Sequence, residues 1–263
     1  MALIKVTYAS DVMKRQISLS AYIPIDNGQP RPEYGYRTLV MLHGLTADGS
    51  SWIRESDIEA MARERNLAVL FPSGENSFYV QGLAPNSDYG ELVGREIVEF
   101  ARGLFPLSAQ REDTFIGGLS MGGFGALRNG LKYADTFARV ISFSAAIHMF
   151  EFEPGDPRRH MVCHEDMVMG DYAAARQTDR NPAVCLEALK ARVDAGEGSY
   201  PGIYMICGID DDLIDANRSF RDRLLAAGVP VRYREGPGRH DFAYWNANLP
   251  DLLDWMLADE DRA

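Results

Sequence analysis

Cysteine is scarce in this chain, with three among 263 residues. Cys163, Cys185 and Cys207 are an odd and widely spaced set, which is not the pattern of a disulfide framework. The first residues, from Met1 to Lys5, lack a positively charged segment followed by an apolar stretch, so no secretory signal is recognised. Together these absences lead us to expect a reducing, cytoplasmic location.

Long apolar runs and an excess of positive charge are also missing. No apolar segment approaches the roughly 20 residues that a membrane-spanning helix requires. The formal net charge is −11, which argues against nucleic acid or an anionic membrane as a partner. Hydrophobic residues make up 46% of the chain, enough for a substantial core. We expect a globular protein that acts on a small molecule, with no nucleic acid and no membrane as partner; assembly into a homo-oligomer is compatible with the sequence.

Short apolar runs alternate with helix-like segments along most of the chain. Strands are predicted at 4–8, 16–23, 38–42, 67–71, 114–116, 139–144, 203–207 and 231–234, and helices at 52–66, 92–104, 215–227 and 245–257. Strands that alternate with helices predict an α/β fold, a mostly parallel sheet with helices on both faces. Because no helix separates the first two strands, we expect these two to pair antiparallel.

One long stretch, at about residues 148–181, shows neither helical nor strand periodicity. A long irregular segment in a compact domain is usually functional or disordered. We therefore predict a single domain over residues 1–263 that carries an irregular, cap-like insertion at about 148–181.

A serine sits where a predicted strand turns sharply into a helix. The run Thr114–Ile116 is predicted to break at two glycines, and apolar residues at helical spacing resume from Phe124. Between them, Gly118–Gly122 reads G-L-S-M-G and matches G-x-S-x-G, the nucleophile elbow, with Ser120 at its centre. A glycine-rich turn alone could produce this match. Whether an acid and a histidine follow in the correct order decides between the two interpretations.

Both partners follow late strands. Three carboxylates, Asp210, Asp211 and Asp212, come after the penultimate predicted strand, and His240 comes after the last one. Ligands of such sheets bind at the carboxyl ends of the strands. The order Ser120, aspartate, His240 is that of α/β-hydrolases. In this chemistry the imidazole accepts the serine proton, and a buried carboxylate fixes its tautomer.

The tetrahedral intermediate of acyl transfer also needs backbone donors. One is expected to be the N–H of Met121, directly after the nucleophile. The other is expected to be the N–H of Leu45 in the loop after strand 38–42, where Gly44 permits a close backbone approach. His43 precedes the nucleophile in the chain, so we interpret it as a structural histidine and not as the base.

These segments together resemble a known family. The matching residues are His43-Gly44-Leu45 with Ser51-Trp52, Arg111-Glu112-Asp113, Gly118 to Gly123, Cys207 through Asn217, Gly238 to Phe242, and Tyr244-Trp245. They resemble the esterase D-like α/β-hydrolases, closest to the bacterial tributyrin-type esterases and related to S-formylglutathione hydrolases and feruloyl or acetylxylan esterases. The resemblance covers nearly the whole chain, from about residue 12 to 255. It implies hydrolysis of short acyl esters without a cofactor.

The resemblance also selects one of the three aspartates. The family spacing, measured from Gly208 to Leu213, points to Asp211, whereas spacing alone leaves Asp210 and Asp212 as alternatives. Asp215 is the next candidate if none of the three is the acid.

Two further sets of residues could bear on ligand binding. His160 to Asp166 offers several types of metal ligand but lacks the paired spacing of a known zinc motif, so we predict no metal. Four aromatic residues are candidates for the wall of an acyl or alcohol pocket, although aromatic side chains are more often part of a core: Trp52, Phe78, Tyr79 and Trp245. Of these, Trp52 and Trp245 are predicted to bind substrate, and only Trp245, five residues after His240, has a positional reason to lie near the site.

The function predicted from the sequence is a serine carboxylesterase that works through an acyl-enzyme. An acyltransferase with the same triad and a thioesterase like the S-formylglutathione hydrolases are alternatives within enzymology. Thr46-Ala47-Asp48 lacks the cysteine that the latter often carry there. A catalytically silent binding protein is the alternative outside enzymology, and the intact triad argues against it.

Overall fold

The computed structural model describes residues 2–153, 156 and 168–258. Within them, eight strands form one sheet in the order β1-β2-β4-β3-β5-β6-β7-β8. The strands are β1 (Ala2–Ser10), β2 (Arg15–Ile23), β3 (Thr38–Leu42), β4 (Ala68–Pro72), β5 (Thr114–Leu119), β6 (Arg139–Phe143), β7 (Gly202–Gly208) and β8 (Val231–Gly236). β2 pairs antiparallel with β1 and β4, and all other neighbours are parallel. The predicted mostly parallel sheet with an antiparallel start is confirmed.

Helices connect the parallel strands. They are α1 (Ser51–Glu55), α2 (Ile58–Glu64), α3 (Tyr89–Glu91), α4 (Ile97–Leu104), α5 (Met121–Lys132), α6 (His148–Glu151), α7 (Tyr172–Ala175), α8 (Pro182–Asp194), α9 (Ile214–Ala226) and α10 (Phe242–Leu257). A π-helical turn, Leu92–Glu96, joins α3 to α4. Among the described residues, no helix is long and apolar enough to cross a membrane.

The core lies on both faces of the sheet. In β3, Val40 and Leu42 belong to one hydrophobic cluster and Leu39 and Met41 to the other. Successive side chains of a strand point to opposite faces, so the two clusters occupy opposite sides of the sheet. All five residues of β3 are buried. A strand buried on both faces explains why its sequence is continuously apolar.

The predicted end of β5 is wrong. The strand does not break at Gly117 but continues to Leu119. Gly117 pairs with Ile141 of β6, and a Cβ at Gly117 would lie 2.4 Å from Cγ1 of Ile141. The glycine is therefore required by the packing of the neighbouring side chain and does not terminate the strand.

Two helix predictions also differ from the structure. The helix predicted at 52–66 is two helices, α1 and α2, because Ser56 is extended and its hydroxyl accepts the N–H of Ile58. Helix α8 was not predicted, although its start carries recognisable signals. Asn181 accepts the N–H of Ala183 as the N-cap, and Pro182 occupies the first turn.

Part of the predicted insertion is described, and it contains the short helices α6 and α7; residues 154–155 and 157–167 lie outside the described residues. Its end is tied to α5. The buried guanidinium of Arg128 donates to the carbonyl oxygen of Asp179 at 2.7 Å and to its carboxylate at 2.8 Å, and Lys132 reaches the same carboxylate at 2.6 Å. These contacts hold residue 179 against the helix that follows Ser120.

Candidate active site

Ser120 stands at the sharp turn between β5 and α5. Its backbone adopts φ 55° and ψ −118°, a sparsely populated region that persists only where the surroundings enforce it. The enforcing contacts come from the end of β6, from the segment that follows it and from the first turn of α5. The N–H of Ser120 donates to the carbonyl of Phe143 at 2.9 Å, and its carbonyl accepts from Ala146 at 3.0 Å and from Phe124 at 3.0 Å. The turn predicted from G-x-S-x-G is present.

The two glycines of the motif allow the strand and the helix to touch. A Cβ on Gly118 would lie 2.5 Å from the carbonyl carbon of Gly122. A Cβ on Gly122 would lie 2.4 Å from the carbonyl oxygen of Leu42. Both distances are far below a van der Waals contact, so any larger residue would push Ser120 out of position.

The structure brings His240 and Asp211 together. Nδ1 of His240 lies 2.9 Å from Oδ2 of Asp211. The Asp211 side chain is fully buried, whereas that of His240 is 36% exposed. A histidine that acts as general base requires a carboxylate that orients the ring through one nitrogen and leaves the other nitrogen for the substrate. The contact at Nδ1 and the partial exposure of His240 meet this requirement.

Of the three adjacent aspartates, only Asp211 is buried; Asp210 and Asp212 are exposed. The N–H of Asp210 donates to the carbonyl of Gly238 at 3.0 Å, which ties the aspartate loop to the histidine loop. Burial of three neighbouring carboxylates would cost severe desolvation and mutual repulsion. Asp215 is exposed as well and pairs with Arg218. The catalytic role of Asp211 stays a prediction that this geometry supports.

Several donors keep Asp211 ionised. Burial by itself raises the pKa of this carboxyl, but its hydrogen bond to His240 and the charge of that residue act in the opposite direction. The N–H of Leu213, 2.9 Å from Oδ1, and the hydroxyl of Ser144 also favour the anion. The pKa of Asp211 is consequently lowered from its ordinary value.

Ser144 is a site residue that sequence reasoning missed. It follows β6, has φ 47° and is completely buried. Its Oγ accepts the indole N–H of Trp245 at 3.1 Å, so its own proton is available to Asp211. The signal was its place directly after a strand, at the carboxyl edge where the other site residues lie.

The two tryptophans that were predicted to bind substrate are both buried. Trp52 is 1% exposed; its indole N–H donates to the carbonyl of Leu42 at 2.9 Å, and its ring packs in the core. Trp245 is 4% exposed and presents its ring edge-to-face to His240, with ring centres 5.0 Å apart. Trp52 therefore supports the strand end, and Trp245 supports the imidazole. Neither offers an open surface to an acyl chain.

The loop after β3 packs directly against the serine. A Cβ on Gly44 would lie 3.5 Å from Cβ of Ser120 and 2.8 Å from Cδ1 of Leu119. In the described part of the chain, the backbone N–H groups of Leu45 and Met121 donate to no other protein group. Two unused donors beside a nucleophile are what an oxyanion hole needs.

The expectation that His43 is structural is confirmed. The residue is completely buried, and both of its ring nitrogens lie within hydrogen-bond distance of backbone groups. Burial lowers the pKa of His43, against the opposing effects of its hydrogen bond to Gly44 and of the charge of Asp48.

Among the described residues, no group of three or more histidine, cysteine or acidic side chains is placed to hold a metal ion. The segment His160 to Asp166, whose sequence offers several types of metal ligand, lies outside the described residues. Cys185 and Cys207 are buried free thiols, as expected for Cys207.

The sheet order, the elbow after β5 and the aspartate and histidine after β7 and β8 define an α/β-hydrolase. The pattern of the family described as "Putative esterase" matches residues 10–256 of the chain. The chain belongs to this esterase family and is a carboxylic ester hydrolase of the serine type. The predicted fold, family resemblance and enzyme class are confirmed.

Three relatives cover nearly the entire chain. An acetyl esterase of Caldicellulosiruptor saccharolyticus is 37% identical over 265 residues, which span 97% of this chain and 98% of that protein. The structure of the fluorophosphonate-binding serine hydrolase F of Staphylococcus aureus superposes with a TM-score of 0.82 at 30% identity, covering 98% of this chain and 99% of that one. An S-formylglutathione hydrolase of the same organism superposes with a TM-score of 0.80 at 29% identity over 98% and 99% of the two chains.

Proposed function

We propose that the protein hydrolyses short-chain acyl esters through an acyl-enzyme on Ser120, with His240 as general base and acid and Asp211 as the carboxylate that orients it. The observation that carries the proposal is the 2.9 Å contact between His240 Nδ1 and the buried Asp211 carboxylate. This contact leaves Nε2 of the imidazole for the serine hydroxyl. It also stabilises the imidazolium that forms when the hydroxyl loses its proton.

The reaction runs in two halves. Ser120 Oγ attacks the ester carbonyl carbon while His240 accepts the hydroxyl proton. The N–H groups of Leu45 and Met121 stabilise the resulting oxyanion. His240 then gives its proton to the departing alcohol. A water molecule then attacks the acyl carbon while His240 takes one of its protons. The bond to Ser120 Oγ breaks, His240 returns that proton to Ser120, and the carboxylic acid leaves. All groups come from the chain itself, so the proposed reaction uses no cofactor.

The proposed preference for short acyl groups is supported more by the similarity to an acetyl esterase than by the charged residues of the insertion at 148–181. The 37% identical relative is an acetyl esterase. The charges that suggested a polar cover do not all face a substrate: Glu151 is bonded to Ser219 and Arg223, and Glu153 pairs with Arg176 at 2.7 Å. Arg158 and Arg159, also part of that expectation, lie outside the described residues. Activity on p-nitrophenyl esters should peak between acetate and butyrate, and a maximum at decanoate or longer would contradict the preference.

The experiment for the reaction compares Ser120→Ala with the unmodified enzyme on p-nitrophenyl acetate. Loss of a triad member lowers kcat by several orders of magnitude, roughly 10⁴-fold or more. Circular dichroism should show an unchanged fold, because the alanine adds no bulk at the turn. Full activity in the alanine variant would refute the assignment of Ser120.

Two additions to this assay separate the remaining enzymatic alternatives. An added alcohol competes with water for the acyl-enzyme, so predominant transfer of acetyl to the alcohol would indicate an acyltransferase. S-formylglutathione as substrate tests the thioesterase alternative, which has relatives among the similar proteins. For an acetyl esterase, water should be the main acceptor and the oxygen ester the better substrate.

We further propose a cytoplasmic location and one domain with a cap-like insertion. The free thiols of Cys185 and Cys207 support a reducing compartment. Fractionation of the source cells tests the location, and recovery of the activity outside the cytoplasm would contradict it.

A further inference from the structure

The backbone around His43 fixes the tautomer of its ring. Nε2 lies 2.8 Å from the N–H of Gly74, and Nδ1 lies 2.7 Å from the carbonyl oxygen of Gly44. A backbone N–H can only donate, so Nε2 must accept. The proton therefore sits on Nδ1 and is donated to the Gly44 carbonyl. Both nitrogens of this buried ring are used, and neither can exchange a proton with a substrate.

The Gly44 carbonyl belongs to the same peptide group as the N–H of Leu45. A trans peptide is planar, and its C=O and N–H point in opposite directions. A donor that fixes the Gly44 carbonyl consequently also fixes the direction of the Leu45 N–H. The imidazole of His43 lies next to the carbonyl oxygen of this peptide group. The Leu45 N–H, at the opposite edge of the group, therefore points away from the imidazole.

Neighbouring contacts hold both ends of this arrangement. The hydroxyl of Tyr79 accepts the N–H of His43 at 3.0 Å and donates to its carbonyl at 3.1 Å. Beyond Leu45, the N–H of Thr46 donates to Oδ1 of Asn76 at 2.8 Å. The ring of Tyr79 is itself completely buried. The peptide group between Gly44 and Leu45 is thus fixed by contacts at His43 before it and at Thr46 after it, and the His43 imidazole bonds to its carbonyl oxygen.

We propose that His43 is a positioning residue for ester hydrolysis, which aims the Leu45 N–H at the oxyanion by holding the Gly44 carbonyl. The inference rests on the proposed function, in which Leu45 is an oxyanion donor. It assigns to His43 a part in transition-state stabilisation that acts through one hydrogen bond. Oxyanion donors act mainly on the transition state, so their loss lowers kcat with little change in KM.

Two substitutions separate the two hydrogen bonds of the ring. In His43→Asn, the amide nitrogen is attached to Cγ, as Nδ1 is, so it can still donate to Gly44. In His43→Gln, the longer side chain carries its amide oxygen to the region of Nε2. This oxygen can accept the N–H of Gly74, but no donor remains for the carbonyl of Gly44. We expect His43→Asn to retain kcat within about threefold and His43→Gln to lose roughly 10- to 100-fold at unchanged KM, somewhat less than complete removal of a donor.

A trifluoromethyl ketone supplies a second readout, because its adduct with a serine carries an oxyanion. Its affinity should fall in His43→Gln by the same factor as kcat, whereas it should be preserved in His43→Asn. Equal losses in the two variants that follow the folded fraction measured by circular dichroism would overturn the proposal. So would a change confined to KM.

The failure of this inference can be told from failure of the proposed function. If Ser120→Ala is inactive while both His43 variants keep full kcat, the triad stands and the role of His43 is refuted. If neither variant folds, ¹⁵N NMR of the unmodified enzyme decides. A neutral ring protonated on Nδ1, with a signal that shifts when the ketone adduct forms, supports the proposal; a proton on Nε2 contradicts it.

Discussion

Two histidines stand at strand ends on the same edge of the sheet, yet their surroundings give them different chemistry. His43 follows β3, is completely buried and has both ring nitrogens engaged by the backbone. His240 follows β8, has a side chain that is 36% exposed and uses Nδ1 on the carboxylate of Asp211. Both nitrogens of the His43 ring are engaged by backbone groups, whereas the His240 ring uses one nitrogen on a carboxylate.

The difference shows that partners and exposure decide what a histidine can do. A general base must take up and release a proton during each turnover, which requires a free nitrogen and stabilisation of the charged form. Only His240 meets both conditions. His43 meets neither, but its fixed donor suits it to hold a peptide group still. The following predictions test this division of roles.

The largest expected effect is the loss of the base. His240→Gln should lower kcat on p-nitrophenyl acetate by roughly 10⁴-fold or more, because the serine hydroxyl loses its proton acceptor. The matched control is His43→Asn, which removes an imidazole of the same size and should stay within about threefold of the unmodified enzyme, since its amide still donates to Gly44. If the two kcat values fall together, the roles assigned to the two histidines are wrong.

A second prediction concerns the carboxylate that distinguishes His240 from His43. Asp211→Asn should keep the shape of the site but favour the wrong imidazole tautomer, lowering kcat by up to about 10⁴-fold. The exposed neighbours supply matched controls, and Asp210→Asn and Asp212→Asn should remain near the unmodified rate. Steady-state kinetics of the three variants at one pH make the comparison. A collapse at a neighbour instead of Asp211 would move the acid, and no effect in any of the three would refute the triad.

A smaller decrease in kcat is expected for Ser144, which contacts Asp211 and not the imidazole of His240. Ser144→Ala removes a hydroxyl that favours the Asp211 anion and leaves the Trp245 indole N–H without its acceptor. A hydrogen bond to a charged group contributes about 1.5–3 kcal/mol, so we expect kcat to fall about tenfold or somewhat more. Ser219→Ala is the control, because that hydroxyl bonds to Glu151. Equal rates for Ser144→Ala and the control would show that Ser144 does not support Asp211.

Much of the architecture could be predicted because it depends on local patterns. The bounds predicted for β3 agree with the structure, since a continuous apolar run is what a strand buried on both faces requires. The end of β5 could not be predicted in the same way. The glycine that suggested a break instead accommodates Ile141 from the next strand, and that contact exists only in the folded sheet. Helix α8 is a different case, because its N-cap asparagine and the proline of its first turn are signals that the sequence itself carries.

The candidate site also contains residues that the sequence indicates and residues that only the folded structure reveals. Ser120 and His240 could be proposed because motif, chain order and strand ends are properties of the sequence. These left three adjacent aspartates open, and only the family resemblance pointed to Asp211. The hydroxyl of Ser144 and the brace formed by Tyr79 could not be proposed, because each depends on an approach between distant segments. Trp52 is a different case: its aromatic character suggested a pocket wall, whereas in the fold its buried indole N–H donates to the carbonyl of Leu42.

The smallest predicted effect is on stability. Burial lowers the pKa of His43 from 6.5, so the unfolded chain takes up a proton before the folded one as the pH falls below 6.5. His43 therefore makes the folded state less stable with decreasing pH in that range, by at most about 1.4 kcal/mol per pH unit. Urea unfolding between pH 5 and 8 should show a shallower pH dependence in His43→Asn. An unchanged slope would mean that His43 takes up its proton equally in the folded and unfolded states, which contradicts a lowered pKa in the folded state.

The central claim is that the strained turn after β5 presents Ser120 as the nucleophile. The most direct measurement is mass spectrometry of the intact enzyme and its peptides after treatment with a fluorophosphonate. The account predicts one adduct per chain, located on Ser120, formed together with the loss of esterase activity and absent from Ser120→Ala. An adduct on another residue that accompanies the loss of activity, or inactivation without any adduct on Ser120, would contradict it.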